Sequence, residues 1–331
     1  MNINFKLLSF LSLIVVFTSC GVDEPIERTA ETTFGIRHDK NLSDYENSVL
    51  NATNDHPNFN SVVCFNYSLD GSTNYEFVAT GTLISSEWIL TAGHNFFVSE
   101  EQKTPATPAG ISVLIGNDPN NPSKKYEVES ITFHPTWLGS NDGFANANDY
   151  CLVKLKTPIT DLTPVELYKN STEAIGSKVW YCGYGDYSKL AGQNPDLLSI
   201  KHAIENNLDR KNEGIVSTIN GKDYNGGLLA FDFDNPQGTI NSLGDAIINA
   251  DEATLGSGTS DANALDLEGT TVQGDSGGPL FVKEGNTWKL AGVLSGGAQE
   301  PIADHKDGSY GDISLFMRVS TNLDWIESVI K

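Results

Sequence analysis

The feature that most narrows what this chain can become is a serine set among glycines and followed at once by an apolar run. Gly274-Asp275-Ser276-Gly277-Gly278-Pro279 leads directly into Leu280-Phe281-Val282. Glycine accepts the positive φ of a sharp turn that a Cβ resists, so Gly274 can swing its N–H toward the point that the N–H of Ser276 also faces. Two converging donors suit an oxyanion. A serine hydroxyl is inert near neutral pH and attacks only when a base takes its proton, so the turn calls for a histidine and a carboxylate elsewhere in the chain.

Among six histidines, His94 ends the stretch Trp88-Ile89-Leu90-Thr91-Ala92-Gly93-His94, an apolar strand closing in small residues that leave an imidazole at its end. A histidine there can accept the serine proton and return it to a leaving group. Asp149 stands just ahead of the hydrophobic run Tyr150-Cys151-Leu152-Val153, where a carboxylate is partly buried and needs a hydrogen-bond donor. The far ring nitrogen of His94 is that donor if the three residues meet. G-x-S-x-G also describes the nucleophile turn of α/β-hydrolases, but there the serine leads into a helix and the acid and histidine follow it. Here a strand follows, and both partners come earlier.

The chain's 31 glycines, 13 prolines and many short Val/Ile/Leu/Phe runs favour an all-β architecture. Strands are expected at 61–67, 77–85, 88–90, 111–115, 126–133 and 150–155, and again at 178–183, 197–204, 228–233, 280–282, 289–294 and 313–319. Two such sets imply two barrels or sandwiches, with the boundary near 163–172. Leu323, Ile326, Val329 and Ile330 recur at helical spacing behind Ser320 or Thr321 as a cap, so a terminal helix is expected over 320–331. The stretch between Gly185 and Thr270, rich in Asn, Asp and Gly, reads as surface loops whose spacing matches no calcium-binding loop. No metal or other cofactor is expected. The formal charge of -22 argues against a nucleic-acid partner, because phosphates would be repelled.

At the amino end Lys6 precedes an apolar stretch from Leu7 to Phe17, which at about 1.5 Å per residue spans only half of a ~30 Å bilayer core. It reads as a signal segment, residues 1–19. Phe17-Thr18-Ser19-Cys20 resembles the lipobox of bacterial lipoproteins, which implies a lipid on Cys20 and an exported protein held at a membrane or cell surface. Residues 20–35 are acidic and lack an apolar period, so they read as a tether whose cleavage would release the folded part, expected from Ile36 to Lys331. Cys64, Cys151 and Cys182 permit at most one disulfide.

The blocks Leu90-Thr91-Ala92-Gly93-His94, Asn148 to Leu155, Gly274 to Pro279 and Val293-Leu294-Ser295-Gly296-Gly297, in this order, resemble a trypsin-like serine protease of the chymotrypsin fold. The resemblance implies two antiparallel six-stranded β-barrels, about 36–165 and 166–319, and a C-terminal α-helix. It implies a monomer and a serine endopeptidase that takes proteins or peptides through an acyl-enzyme. His94 is then the base, Asp149 its orienting acid, Ser276 the nucleophile, and the N–H groups of Gly274 and Ser276 the oxyanion hole. Ser295 would support Asp149 and, with Gly297, pair with the substrate; Thr270, Thr271 and Ser314 would line the side-chain pocket. Thr270 stands where the resemblance places the aspartate that selects Arg or Lys, so that preference is not expected, although Glu300 and Asp312 lie near in sequence. Ala79, Asn95 and Val272 stand where the family has disulfide cysteines. The family's activating tetrapeptide is also missing. Either a new terminus at Ile36 or another cation is expected to meet Asp275, and a catalytically silent surface binding protein remains the alternative.

Overall fold

A computed structural model describes residues 29–30, 33–50, 55–97, 104–139, 147–187, 200–244, 255–298 and 306–331. The signal segment, Cys20 and Glu300 lie outside the described residues. Six strands close a first barrel: β1 Val62–Tyr67, β2 Phe77–Leu83, β3 Trp88–Thr91, β4 Ile111–Ile115, β5 Lys124–Phe133 and β6 Cys151–Leu155, in the order β1-β2-β3-β6-β5-β4. A second sheet holds β7 Lys178–Gly183, β8 His202–Asn207, β9 Arg210–Ile219, β10 Lys222–Asp232, β11 Pro279–Glu284, β12 Thr287–Ala298 and β13 Ile313–Arg318. Its order is β8-β7-β11-β12-β13-β10-β9, with every pairing antiparallel.

The strands read as nearly unbroken apolar runs because many are covered on both faces. In β1, Val63, Phe65 and Tyr67 point into the barrel, while Val62 and Cys64 point the other way, toward Trp180, Cys182 and Phe281 of the second sheet. The same alternation sends Ile89 inward and Leu90 outward in β3, and Val153 inward and Leu152 outward in β6. Leu90 and Leu152 meet Leu290, Val293 and Leu315, so one continuous apolar layer joins the barrel to the sheet. Burying a side chain of this size stabilises by roughly 1.5–3 kcal/mol. Cys64, Cys151 and Cys182 are all free and buried.

Two expectations need correction. The second sheet has seven strands, because part of the polar stretch expected to be loops forms β9 and extends the strand expected at 228–233 back to Lys222 as β10. Arg210-Lys211-Asn212-Glu213-Gly214 carries no apolar alternation, since β9 is an edge strand that needs backbone pairing more than a buried face. The terminal helix, α2, runs Leu323–Val329 behind a 3-10 turn at Val319–Thr321, so Asn322, not Ser320 or Thr321, is its N-cap residue. A short helix the pattern did not reveal, α1 Leu42–Ser48, starts in a capping box between Asn41 and Asp44. Its Tyr45 and the preceding Ile36 pack on the second sheet, although this segment comes before the barrel in the chain.

Candidate active site

The barrel delivers the base. β3 stops at Thr91, and Gly93–Asn95 closes as one 3-10 turn carrying His94. Asp149 arrives from the other side, just before β6 and just after Ala147, whose φ of 48° is the left-handed region that a Cβ disfavours. One Asp149 oxygen takes the His94 backbone N–H at 2.8 Å; the other takes His94 Nδ1 and the Ser295 hydroxyl, each at 2.6 Å. Ser295 reaches it because the register of β12 against β13 slips between Leu294 and Gly296, which re-aims the side chain between them. The Asp149 side chain is 1% exposed and that of His94 23%, so the acid is shielded while the imidazole edge meets solvent. Burial pulls the His94 pKa down, but the charge of Asp149 and its hydrogen bond outweigh this and leave it raised. With Nδ1 held by the carboxylate, Nε2 is the nitrogen that can accept a proton.

The second sheet delivers the nucleophile. Gly274 and Gly277 flank Ser276 with φ values of 99° and 84°, the conformations that this turn required of glycine. The Ser276 carbonyl accepts the Thr80 N–H at 2.9 Å and the Asn95 amide at 3.1 Å, and the Thr80 hydroxyl donates to the Gly274 carbonyl at 3.0 Å. Asn95 also donates to the Thr91 hydroxyl at 3.0 Å. Ser276 is thus pinned against the turn that carries His94, through its backbone and not through a bond from its hydroxyl among the described residues. Over residues 56–222 and 221–326 the chain matches the family model described as Trypsin.

The chain belongs to the trypsin family. The order of the blocks, the closed barrel and the C-terminal helix agree with that family's fold, a correspondence that extends across most of the described residues.

Beside Ser276 lies a cavity of about 210 Å³, bordered by Thr270, Thr271, Gly297, Ala298 and Ile313. Ser314, expected to line it, is fully buried one layer behind, where its hydroxyl lies 3.1 Å from that of Thr270 and 3.0 Å from that of Thr271. The floor of this trypsin-family pocket is therefore a network of neutral hydroxyls. Asp307 and Asp312 stand on its wall, Asp312 closing the turn before β13 by accepting the Gly308 N–H. Among the described residues, no group of three or more His, Cys, Asp or Glu side chains is placed to hold a metal ion.

Asp275 is fully buried, and its two oxygens accept the N–H groups of Gly185 at 2.7 Å and Val272 at 2.9 Å. Burial pushes its pKa up to about 7 against the pull of these donors. Ile36 is also fully buried, bridging Gly269, while the neighbouring Gly35 carbonyl accepts the Thr270 N–H at 2.9 Å. Sequence reasoning missed the clamp of Thr80, Thr91 and Asn95, reading Asn95 only as a lost cysteine. The available signal was Thr80 and Thr91 inside otherwise apolar strands, since polar residues bury only when hydrogen-bonded.

Proposed function

We propose that this chain is an exported serine endopeptidase that hydrolyses peptide bonds through an acyl-enzyme on Ser276. The observation that carries the reading is the Ser295–Asp149–His94 network beside a glycine turn with two N–H donors. His94 Nε2 takes the Ser276 proton as Oγ attacks the peptide carbonyl, and the Asp149 carboxylate stabilises the imidazolium that forms. The N–H groups of Gly274 and Ser276 receive the oxyanion. His94 then passes its proton to the departing amine, and water, activated by the same nitrogen, releases the acyl group. The backbone of Ser295 and Gly297 offers an extended peptide a strand to pair with.

The hydroxyl floor at Thr270, Thr271 and Ser314 favours a small or medium, uncharged side chain, and Asp307 and Asp312 oppose an acidic one. Strong cleavage after Arg in a peptide library would overturn this preference. The two backbone donors on Asp275 support an enzyme that works with the 33–37 segment uncut, Ile36 anchoring that segment instead of becoming a new terminus. A lipid on Cys20 then holds the protease at its membrane, and Cys20→Ser releases it into the soluble fraction. A fluorophosphonate provides the main test: it labels the intact chain and fails to label Ser276→Ala. Absence of labelling on the intact chain and on chain trimmed to Ile36 sinks the enzyme reading.

A further inference from the structure

An oxyanion hole works only if its N–H groups point at the reacting oxygen before the reaction starts, and a peptide N–H points opposite to the carbonyl of the same planar trans unit. Whatever holds the two carbonyls therefore aims the two donors. The Gly274 N–H shares its peptide with the Gln273 carbonyl, which accepts the Asp186 N–H at 3.0 Å. The Ser276 N–H shares its peptide with the Asp275 carbonyl. That oxygen accepts the Gly278 N–H at 2.9 Å and, from a different strand, the hydroxyl of Tyr181 at 2.8 Å.

Tyr181 lies in β7, fully buried, with its ring against Phe316 and its backbone opposite Leu280 of β11. Its strand neighbour on the same face, Val179, is apolar, so packing alone does not call for a hydroxyl there. A buried hydroxyl destabilises unless it is bonded. The structure makes room for this one: a Cβ on Gly278 or on Gly183 would collide with the Tyr181 oxygen. The Asp275 carboxylate and the Thr80 hydroxyl flank it, so Tyr181 sits where the turn, β2 and β7 converge.

We propose that Tyr181 is a positioning residue of the oxyanion hole, its hydroxyl holding the Asp275 carbonyl so that the Ser276 N–H stays aimed at the reacting oxygen. The inference rests on the protease reading above. Without the hydroxyl, the Asp275–Ser276 peptide keeps only the Gly278 bond and can rotate, replacing a donor by a carbonyl where negative charge develops. Ground-state binding does not use that donor fully, so the loss falls on the chemical step.

The test compares wild type with Tyr181→Phe, which keeps the ring and its packing. With p-nitrophenyl acetate, kcat falls roughly 10- to 100-fold, short of the ~10²–10³ seen when an oxyanion donor is removed outright, while KM changes little. Affinity for a peptidyl-alanine boronate, whose tetrahedral adduct on Ser276 needs the hole, falls by a similar factor. Equal kcat and boronate affinity in the two proteins overturn the proposal, as does a loss that only tracks the fraction of folded Tyr181→Phe. A wild type that takes neither fluorophosphonate nor boronate fails differently: it overturns the protease reading and this proposal with it.

Discussion

The closed barrel and the seven-stranded sheet share one alternation of apolar faces but differ in how many ionisable groups they bury. Inside the barrel stand Val63, Phe65, Leu83, Ile89, Val113 and Val153, and its ion pairs Lys124–Asp161, Lys154–Glu129 and Lys156–Glu127 lie on the outside. The sheet region has surface pairs of its own, such as Lys169–Glu327, but it also buries ionisable side chains. Arg318 is fully covered, gripping Glu173 through Nε at 2.9 Å and Nη2 at 2.5 Å and Glu213 through Nη1 at 2.7 Å. Asp209, Asp232, Asp234 and Glu268 are buried close behind the pocket, where Asp232 pairs with the wall residue Ile313. The difference separates two tasks. The barrel is an apolar mount for one histidine, while the sheet region holds a nucleophile turn and a pocket through polar networks whose charge state matters.

The sharpest break of the comparison is at the one buried carboxylate that serves the barrel's histidine. Asp149→Asn keeps the shape of the site but presents an amide N–H to His94 and Ser295, so kcat for ester hydrolysis should fall about 10⁴-fold with the fold intact. A fall of less than tenfold would mean that Asp149 does not orient His94. Next in size is Arg318→Met, which strands Glu173 in the interior and should lower the unfolding free energy by about 3–5 kcal/mol in a urea titration. Phe65→Ala in the barrel should lose a similar ~3–5 kcal/mol, by leaving a cavity. The two regions then differ in how the loss is repaired. Adding Glu173→Leu to Arg318→Met should recover much of the stability, because no charge is left unpaired; failure of that recovery would place the damage in packing.

The barrel was largely legible in the sequence, and the sheet region less so, for a physical reason. Most barrel strands are marked by apolar runs, and Trp88 to His94 and Asn148 to Leu155 carry their chemistry in local order. The serine turn was legible because its glycines answer a local backbone need. The edge strand β9 was not, since a polar edge strand leaves no period-two apolar signature, whereas the apolar half of its partner β10 was expected at 228–233. The partners of Asp275 could not be read either. Gly185 and Val272 offer backbone N–H groups, which every residue has, and Tyr181 donates from a strand remote in sequence.

A smaller effect comes from the carboxyls behind the pocket. Burial first, and then the charge of Asp232, raises the pKa of both Asp209 and Asp234, and burial pushes Glu268 up to about 8. Arg210 works against the raised pKa of Asp232, and Arg37 against that of Glu268. Such groups bind more protons folded than unfolded, so the stability they permit is greatest at low pH and is lost as pH rises toward their folded values. For Glu268 the loss is complete a little above pH 8, and each group contributes up to ~1.4 kcal/mol per pH unit. Melting temperature should therefore fall between pH 6 and 9, and Asp234→Asn should flatten that fall. An unchanged slope would mean that these carboxyls are already ionised at neutral pH.

The smallest effect belongs to the barrel's exterior and tests the other half of the contrast. Lys124 and Asp161 are each about half exposed, at 48% and 52%, and their 2.7 Å contact is open to water and salt. Ordering the long lysine side chain at a surface offsets much of the attraction, and counter-ions screen the rest. Lys124→Met should leave the melting temperature unchanged within error, and raising the salt from low to about 1 M, where the screening length is ~3 Å, should not reveal a difference between it and wild type. The buried Arg318–Glu173 pair is shielded from such screening, so the destabilisation by Arg318→Met should persist at the same salt. If Lys124→Met were instead clearly destabilised at low salt and not at high salt, charge would contribute to the barrel as well, and its stability could not be assigned to apolar packing alone.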